Sequence, residues 1–321
     1  MALTLDQLIA SPDHYLHSFI DDDAVFVPMD GASYRRSIFL DDRISPAANG
    51  SMRVPIDTLL PALRPAPRVD WIFHIAHCGS TLLARALDEL LPGLVLREPA
   101  ALRQMAFGAD DTGIALVRLF LSRRYDAAAP TLVKANVPVN FLLERIITPD
   151  TADRALLLHY GLRDYLLAIL RNDNHRAWLR RVTAEMAHHL GDLSSLSDGH
   201  RGAALWLAQT RLFAATLDRN GAAATLDAER FFAEPGAMLA ASVRHFGAEA
   251  DEAAIRALVT GPLFATYSKN PGFAFDNAAR LARRAQLEGE LAGELAEAQH
   301  WLVRAAPDID ALNAALAARH L

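Results

Sequence analysis

Between residues 69 and 170, short apolar runs alternate with segments of helical periodicity, and this alternation constrains the fold more than any other feature of the sequence. Each apolar run is four to seven residues long, the usual length of a buried strand, and a helix follows each one. The predicted strands cover 69–75, 94–98, 131–137 and 154–160. Such a series predicts an α/β fold, a three-layer sandwich in which helices cover both faces of a mostly parallel central sheet.

The region before this alternation follows no regular pattern. A short strand and turn are predicted at residues 23–30, and another strand or an irregular segment is predicted at 33–45. Three prolines between 61 and 68 are typical of a boundary between structural units. We therefore predict an N-terminal extension over residues 1–66, a small cap or interaction element, and a single larger domain over residues 67–321.

The C-terminal half is predicted to be rich in helices. Residues 172–220 have helical periodicity with a break at 191–200, and a last strand is expected at 222–229. After this strand, the pattern predicts helices except for a loop at 260–275.

Composition limits the partners and the compartment. The net charge is −6, from 32 Lys and Arg against 38 Asp and Glu, which argues against nucleic acid as a partner. The single cysteine excludes an intrachain disulfide. The most apolar segment, 155–170, contains charged residues and is too short to span a bilayer, and the first residues lack the pattern of a signal peptide. We expect a cytoplasmic protein that does not bind membranes.

The turn after the first predicted strand holds the most informative motif, His77-Cys78-Gly79-Ser80-Thr81. Backbone N–H groups at the start of a helix have no partner within the helix, and the helix dipole adds partial positive charge there. Gly79 permits a close approach of the backbone, and Ser80 and Thr81 add hydroxyl donors. The sequence therefore predicts an anion site at this turn, which lies where ligands bind to open α/β sheets.

Two other interpretations of this turn remain open. The phosphate loop of a nucleotide kinase has a lysine between its last glycine and a serine or threonine, and Ser80 stands in place of that lysine. A cysteine phosphatase would use Cys78 as the nucleophile, and a helix N-terminus is expected to lower the pKa of its thiol. The spacing disfavours this second interpretation, because six residues separate Cys78 from Arg85 where the phosphatase motif has five.

Gly79, Ser80, Thr81 and the following leucine pair resemble the 5′-phosphosulfate loop of the sulfotransferase family. His77 and Cys78 stand where that family usually has a cation and a serine. The resemblance extends in order over about residues 67–290, and it indicates a divergent member of the bacterial type. It implies a P-loop fold and a loop that binds the sulfuryl donor through His77, Cys78, Gly79, Ser80 and Thr81.

Two further segments resemble parts of the family that carry the chemistry. Glu98 ends a predicted strand where many members have an acidic or histidine base, although a carboxylate before Pro99 also suits a helix N-terminus. Lys134 ends another strand and resembles the family lysine that reaches the active site. The resemblance implies catalytic roles for Glu98 as the base and for Lys134 and His77 at the bridging oxygen.

The donor's 3′ side is matched less well. Arg163 resembles one arginine of the family's 3′-phosphate segment, whereas Tyr160 and Ala168 replace the usual arginine and serine. Lys269 and Arg280 resemble residues of a C-terminal loop that folds over the nucleotide, and they are the other candidates for this end of the donor.

Taken together, the resemblance implies sulfuryl transfer from 3′-phosphoadenosine 5′-phosphosulfate (PAPS) to a hydroxyl or amine acceptor, without a metal. The acceptor is expected to be a small molecule or a peptide. Two alternatives remain: a kinase-like phosphotransferase that uses ATP, and a nucleotide-binding protein without catalytic activity on the same fold.

Overall fold

The computed structural model describes residues 3–108, 110–148 and 150–321. The chain begins with an antiparallel sheet of three strands, β1 (His14–Ile20), β2 (Asp23–Pro28) and β3 (Met52–Pro55), in the order β1-β2-β3. A parallel sheet of five strands follows. Its members are β4 (Val69–His74), β5 (Val95–Arg97), β6 (Thr131–Lys134), β7 (Ala155–His159) and β8 (Ala223–Asp227). A small antiparallel hairpin, β9 (Thr266–Tyr267) and β10 (Asn270–Ala274), lies near the C-terminus.

The helices surround these sheets. In chain order they are α1 (Leu5–Ala10), α2 (Gly31–Arg36), α3 (Ile56–Leu59), α4 (Ser80–Leu90), α5 (Ala100–Met105), α6 (Asp111–Leu121), α7 (Leu143–Ile146), α8 (Leu162–Ile169), α9 (Asp173–Glu185), α10 (Ala187–Leu190), α11 (Asp198–Arg219), α12 (Ala228–Ala233), α13 (Pro235–His245), α14 (Glu252–Val259), α15 (Pro262–Ala265), α16 (Asn277–Glu290), α17 (Ala292–Ala305) and α18 (Ile309–Ala317), with 3₁₀ turns at Leu60–Ala62 and Val137–Leu142.

The central sheet has the strand order β5-β6-β4-β7-β8, so β4 is the middle strand and is buried along its whole length. The chain leaves β4 toward β5 and leaves β7 toward β8, in opposite directions across the sheet. Because such parallel crossovers are right-handed, the helices that follow β4 and β7 lie on opposite faces. Helix α4 packs with α13 and α14, whereas α11 packs with α7 and α8. The predicted α/β class with a mostly parallel sheet is confirmed.

Two of the weaker predictions were wrong. Residues 33–45 were expected as a strand or an irregular segment, but 33–36 belong to helix α2, because the Asp30 side chain accepts a hydrogen bond from the Ser33 N–H at 2.6 Å and caps a helical turn. The expected loop at 260–275 contains α15 and the hairpin. Every residue of β10 is exposed, so this strand has no apolar pattern by which it could be recognised.

The N-terminal region is attached to the central sheet by a buried arginine. The Arg97 guanidinium donates to the carbonyl oxygens of Tyr34 and Ser37, and it forms an ion pair with Asp88 at 2.5 Å. The Leu40 N–H also donates to the Arg97 carbonyl oxygen at 2.8 Å. Residues 34–40 therefore lie along the edge strand β5, beside the end of the strand that leads to Glu98.

None of the helices in the described ranges combines the length and the apolar character needed to cross a membrane.

Candidate functional site

The turn that follows β4 lies at the carboxyl edge of the central sheet. The connections that leave β4 and its neighbour β7 run to opposite faces, which opens a crevice between the two strands at this edge. Cavities for ligands in open α/β sheets form at such a crevice. The predicted anion loop therefore occupies the position that the topology favours.

The backbone of this loop is held in an unusual conformation. Gly79 has φ of 82° and forms the N-cap of α4, and His77 has φ of 61°, in the left-handed region that side chains other than glycine rarely adopt. A Cβ atom on Gly79 would lie 2.7 Å from Cζ of Phe232. Glycine is therefore required at this position. Helix α4 begins directly after it, and the backbone N–H groups of the buried residues Ser80 and Thr81 lie in the first turn, where they have no partner within the helix.

His77 does not supply the cation that the loop lacks. Its ring stacks on His175 with centroids 3.8 Å apart and meets Trp178 edge-on at 5.4 Å. Burial, followed by the charges of His175 and Lys269, lowers the pKa of His77 well below its usual value, so the ring is neutral near pH 7. Its Nε2 atom is buried without a hydrogen-bond partner in the described structure.

Cys78 has the opposite character to the one expected at a helix N-terminus. The side chain is completely buried, and its Sγ donates to the carbonyl oxygen of Ile75 at 2.7 Å. Burial raises the pKa of the thiol to about 11, which outweighs the effect of the helix N–H groups. The expected lowered pKa was wrong, and the neutral thiol helps to fix the turn.

Glu98 and Lys134 form a buried ion pair behind the loop. The Lys134 side chain is 0% exposed and that of Glu98 is 17% exposed. The two strands that end here are neighbours, with Arg97 paired to Lys134, and the Glu98 N–H donates to the Lys134 carbonyl oxygen at 2.8 Å. The Lys134 ammonium also lies 3.4 Å from Oγ1 of Thr81, so it links Glu98 to the anion loop.

The pair sets the charge of both groups. Burial alone would raise the pKa of Glu98, but the positive charge of Lys134 offsets burial, and the pKa falls to about 2. Burial lowers the pKa of Lys134, and the Glu98 carboxylate opposes this shift. The Glu98 backbone has φ of 55°, another left-handed conformation at the carboxyl edge of the sheet. A carboxylate and an ammonium are thus held together at the base of the loop.

A cavity of about 470 Å³ opens in front of the loop. Its walls come from residues 77–82, from α8 and the residues after it, and from the hairpin with the first turns of α16. Five Lys and Arg but only three Asp and Glu line it, an excess of positive charge in a chain whose net charge is −6. The cavity is therefore suited to an anionic ligand.

The cations of the cavity differ in their partners. Arg280 forms a bidentate pair with Glu229 at 2.7 and 2.8 Å, and Arg284 pairs with Glu229 at 2.8 Å and also with Asp164. Within the described ranges, Arg171 and Lys269 have no carboxylate within ion-pair distance. These two cations are therefore available to an anion without loss of an existing ion pair.

Arg163, a predicted donor ligand, lies outside this cavity. Its guanidinium is exposed and pairs with Glu288 at 2.8 Å. Arg171 takes the corresponding place inside the cavity. Asp164, Ala168 and Arg171 recur at helical spacing and all line the cavity, and this pattern in the sequence would have identified Arg171.

Aromatic side chains line the cavity beside the loop. The ring centroids of Phe232 and Phe275 lie 6.0 Å apart, and the Tyr267 ring packs edge-on against Phe275 with centroids 5.5 Å apart. The Arg280 guanidinium lies over the Phe232 ring at 4.4 Å. Arg85 donates to the Ser268 carbonyl oxygen at 3.0 Å and holds the hairpin against α4.

The described part of the chain contains no group of three or more His, Cys, Asp or Glu residues arranged to hold a metal ion.

No protein-family model and no curated protein sequence matches this chain. The solved structures that are similar to it include two sulfotransferases. A sulfotransferase domain from the curacin biosynthetic pathway aligns with 71% of this chain and 99% of its own, at 12% identity and a TM-score of 0.46. A sulfotransferase from Alicyclobacillus acidocaldarius aligns with 74% of this chain and 95% of its own, at 16% identity and a TM-score of 0.39. At these identities and TM-scores, the similarity does not by itself assign an activity.

Proposed function

We propose that this chain transfers a sulfuryl group from PAPS to a hydroxyl or amine acceptor. The observation that carries the proposal is the anion loop 77–81, which opens into one cavity lined by basic and aromatic side chains. The N–H groups at the start of α4 suit an anion, and the ring faces of Phe232 and Phe275 suit a purine base. The cations Arg171, Lys269 and Arg280 supply positive charge around the remaining anionic groups.

The loop's lack of a lysine favours a transferring group of low charge. A sulfuryl group carries less negative charge than a phosphoryl group, so fixed N–H groups, hydroxyls and a few cations are sufficient to stabilise its transfer. Here Ser80 and Thr81 provide the hydroxyls, Lys134 lies behind the loop, and Lys269 lies on the cavity side. The donor supplies the sulfuryl group, and these residues bind and orient it.

Glu98 is the proposed base for the acceptor. Its carboxylate is ionised at neutral pH and can accept the acceptor's proton. With a pKa of about 2 it is a weak base while Lys134 remains at its side. An anion on the loop competes for the Lys134 ammonium, and this competition raises the pKa of Glu98 toward its usual range. We infer that Glu98 becomes an effective base only when the donor end of the cavity is filled.

Calorimetry with adenosine 3′,5′-bisphosphate, AMP and ATP tests this function. Preferential binding of the bisphosphate, independent of magnesium, supports a sulfuryl donor of the PAPS type. Tight binding of ATP that requires magnesium would refute it and would favour a phosphotransferase. Binding of none of the three would favour a protein that retains the fold without the chemistry.

Substitution of two arginines makes the same calorimetric experiment specific to the cavity. Arg171→Gln should weaken bisphosphate binding about tenfold or more, since it removes a charged hydrogen-bond donor from the cavity. Arg163→Gln is the matched control, because its guanidinium lies outside the cavity and pairs with Glu288. If Arg163→Gln weakened binding and Arg171→Gln did not, the assignment from the sequence resemblance would be preferred to this one.

The chemical step is tested with Lys134→Ala and Glu98→Ala. Both variants should transfer sulfate from saturating PAPS more slowly than the parent chain. Transfer at the parent rate by both variants would show that these residues have no catalytic role.

A further inference from the structure

A second cleft lies at the opposite edge of the central sheet from the donor cavity. It is bounded by Arg154, which precedes β7, and by residues 221–224, which lead into β8. These are the amino ends of the strands, whereas the anion loop follows the carboxyl end of β4. The cleft has a volume of about 530 Å³ and shares no lining residue with the donor cavity.

Three arginines dominate the walls of this cleft, and we call it the arginine cleft. They are Arg154, Arg244 at the end of α13, and Arg319, which follows α18. His245 and His320 complete the polar lining, and no Asp or Glu lines the cleft. The concentration of three positive charges contrasts with the net charge of −6 of the whole chain.

Two of these arginines are oriented by backbone carbonyl groups, and none of the three is neutralised by a carboxylate in the described structure. Arg154 Nη1 donates to the His245 carbonyl oxygen at 2.7 Å, and Arg319 Nη1 donates to the Gly221 carbonyl oxygen at 3.2 Å. Within residues 3–108, 110–148 and 150–321, no ion pair involves any of the three. This differs from the donor cavity, where Arg280 and Arg284 are paired with carboxylates. Carbonyl contacts fix part of the Arg154 and Arg319 guanidinium groups and leave their remaining N–H groups for another acceptor.

The surrounding backbone limits the freedom of Arg154. A Cβ atom on Gly247 would lie 2.6 Å from Arg154 Nη1, so the guanidinium packs directly against the Gly247 turn. His245 Nε2 lies 3.1 Å from the Ala155 carbonyl oxygen, and burial lowers the pKa of His245 to about 4. The imidazole is therefore neutral near pH 7 and donates to this carbonyl, which ties the end of α13 to the start of β7.

Helix geometry alone does not account for this charge. Basic residues are favoured at the C-terminus of a helix, and Arg244 and His245 occupy the last turn of α13. The helix dipole supplies only about half a negative charge there. Three guanidinium groups exceed it, and two of them come from other segments of the chain.

We propose that the arginine cleft binds a small oxyanion that carries at least two negative charges, of the phosphate or sulfate class. Guanidinium groups match the geometry of such oxyanions and bind them through paired hydrogen bonds. The negative end of the α13 dipole offsets only part of the charge of the three guanidinium groups, and a doubly charged anion offsets most of the remainder. Because the cleft and the donor cavity share no lining residue, anion binding at the cleft does not require the proposed transfer reaction.

The test measures binding of inorganic pyrophosphate, and separately of inorganic sulfate, by calorimetry at physiological ionic strength. The parent chain is compared with the double variant Arg244→Gln/Arg319→Gln, which should bind at least about tenfold more weakly. The control is Arg181→Gln/Arg256→Gln, which makes the same charge change at two exposed arginines outside both cavities and should bind as the parent does. Comparison of the two anions shows which oxyanion class the cleft prefers.

Loss of binding of either anion in the double variant alone supports the proposal. If neither anion binds the parent, or if the double variant and the control bind equally well, the proposal is overturned. Arg244→Gln provides a second measurement should the double variant not fold, because no hydrogen bond from the Arg244 side chain occurs in the described structure. Its effect on affinity is expected in the same direction.

Discussion

Replacement of Lys134 by methionine tests the buried pair on which the candidate site depends. The variant keeps the length of the side chain but removes the ammonium that faces Glu98. The pKa of Glu98 is about 2 against an ordinary value of 4.5, and this difference corresponds to about 3 kcal/mol. Without Lys134, burial dominates, so we expect the Glu98 pKa to rise above 4.5 and the free energy of unfolding at pH 7 to fall by about 3 kcal/mol or more.

Urea denaturation at pH 7 measures the loss of stability, and an NMR titration of the Glu98 carboxyl measures the pKa. A double-mutant cycle with Glu98→Gln isolates the interaction, and the coupling should be about 2 kcal/mol or more. Arg163→Met is the control, because it breaks an exposed pair with Glu288 and should cost at most about 1 kcal/mol. A cost for Lys134→Met as small as that of the control, together with an unchanged Glu98 pKa, would refute this account of the pair.

Three further outcomes follow from the structure. Gly79→Ala should lower the unfolding free energy by about 1–3 kcal/mol, seen as a lower midpoint in thermal denaturation, because the left-handed φ and the contact with Phe232 both oppose a Cβ atom. The Cys78 thiol should not react with a disulfide reagent at pH 8 until the chain unfolds, since it is buried and its pKa is raised to about 11; rapid labelling of the native protein would contradict this. His159 and His245 have pKa values lowered to about 4, so the unfolded chain binds more protons between pH 6.5 and 4, and stability measured by urea denaturation should fall as the pH falls through this range.

The alternation of strands and helices was sufficient to predict the central sheet, because buried parallel strands are continuous apolar runs that a single chain displays directly. The strands β4 to β8 fall within the predicted segments. The N-terminal strands were harder to recognise. In β1, two buried residues stand next to each other and the pairing with β2 contains a bulge, so its apolar residues do not alternate cleanly.

The anion loop was predictable for the same local reason, since its position and its glycine depend on adjacent residues. The ionisation of its neighbours was not. Cys78 and His77 stand at a helix N-terminus and beside other ionisable groups, and only the folded structure shows that Cys78 is buried and that His77 is largely enclosed by its neighbours. Burial then determines the charge of both groups, raising the pKa of the thiol and lowering that of the imidazole.

The pairing of Glu98 with Lys134 shows where prediction from the sequence ends. Each residue was expected at the end of a strand, but their separation in the chain gives no indication that they touch. They meet because β5 and β6 pair side by side in the parallel sheet, in a register that places Arg97 opposite Lys134. A carboxylate beside an ammonium has little basicity, so the same contact that stabilises the fold also holds the proposed base inactive. Lys134 lies within 3.4 Å of Thr81, and an anion on the loop can therefore weaken that contact and restore the basicity of Glu98 where transfer would occur.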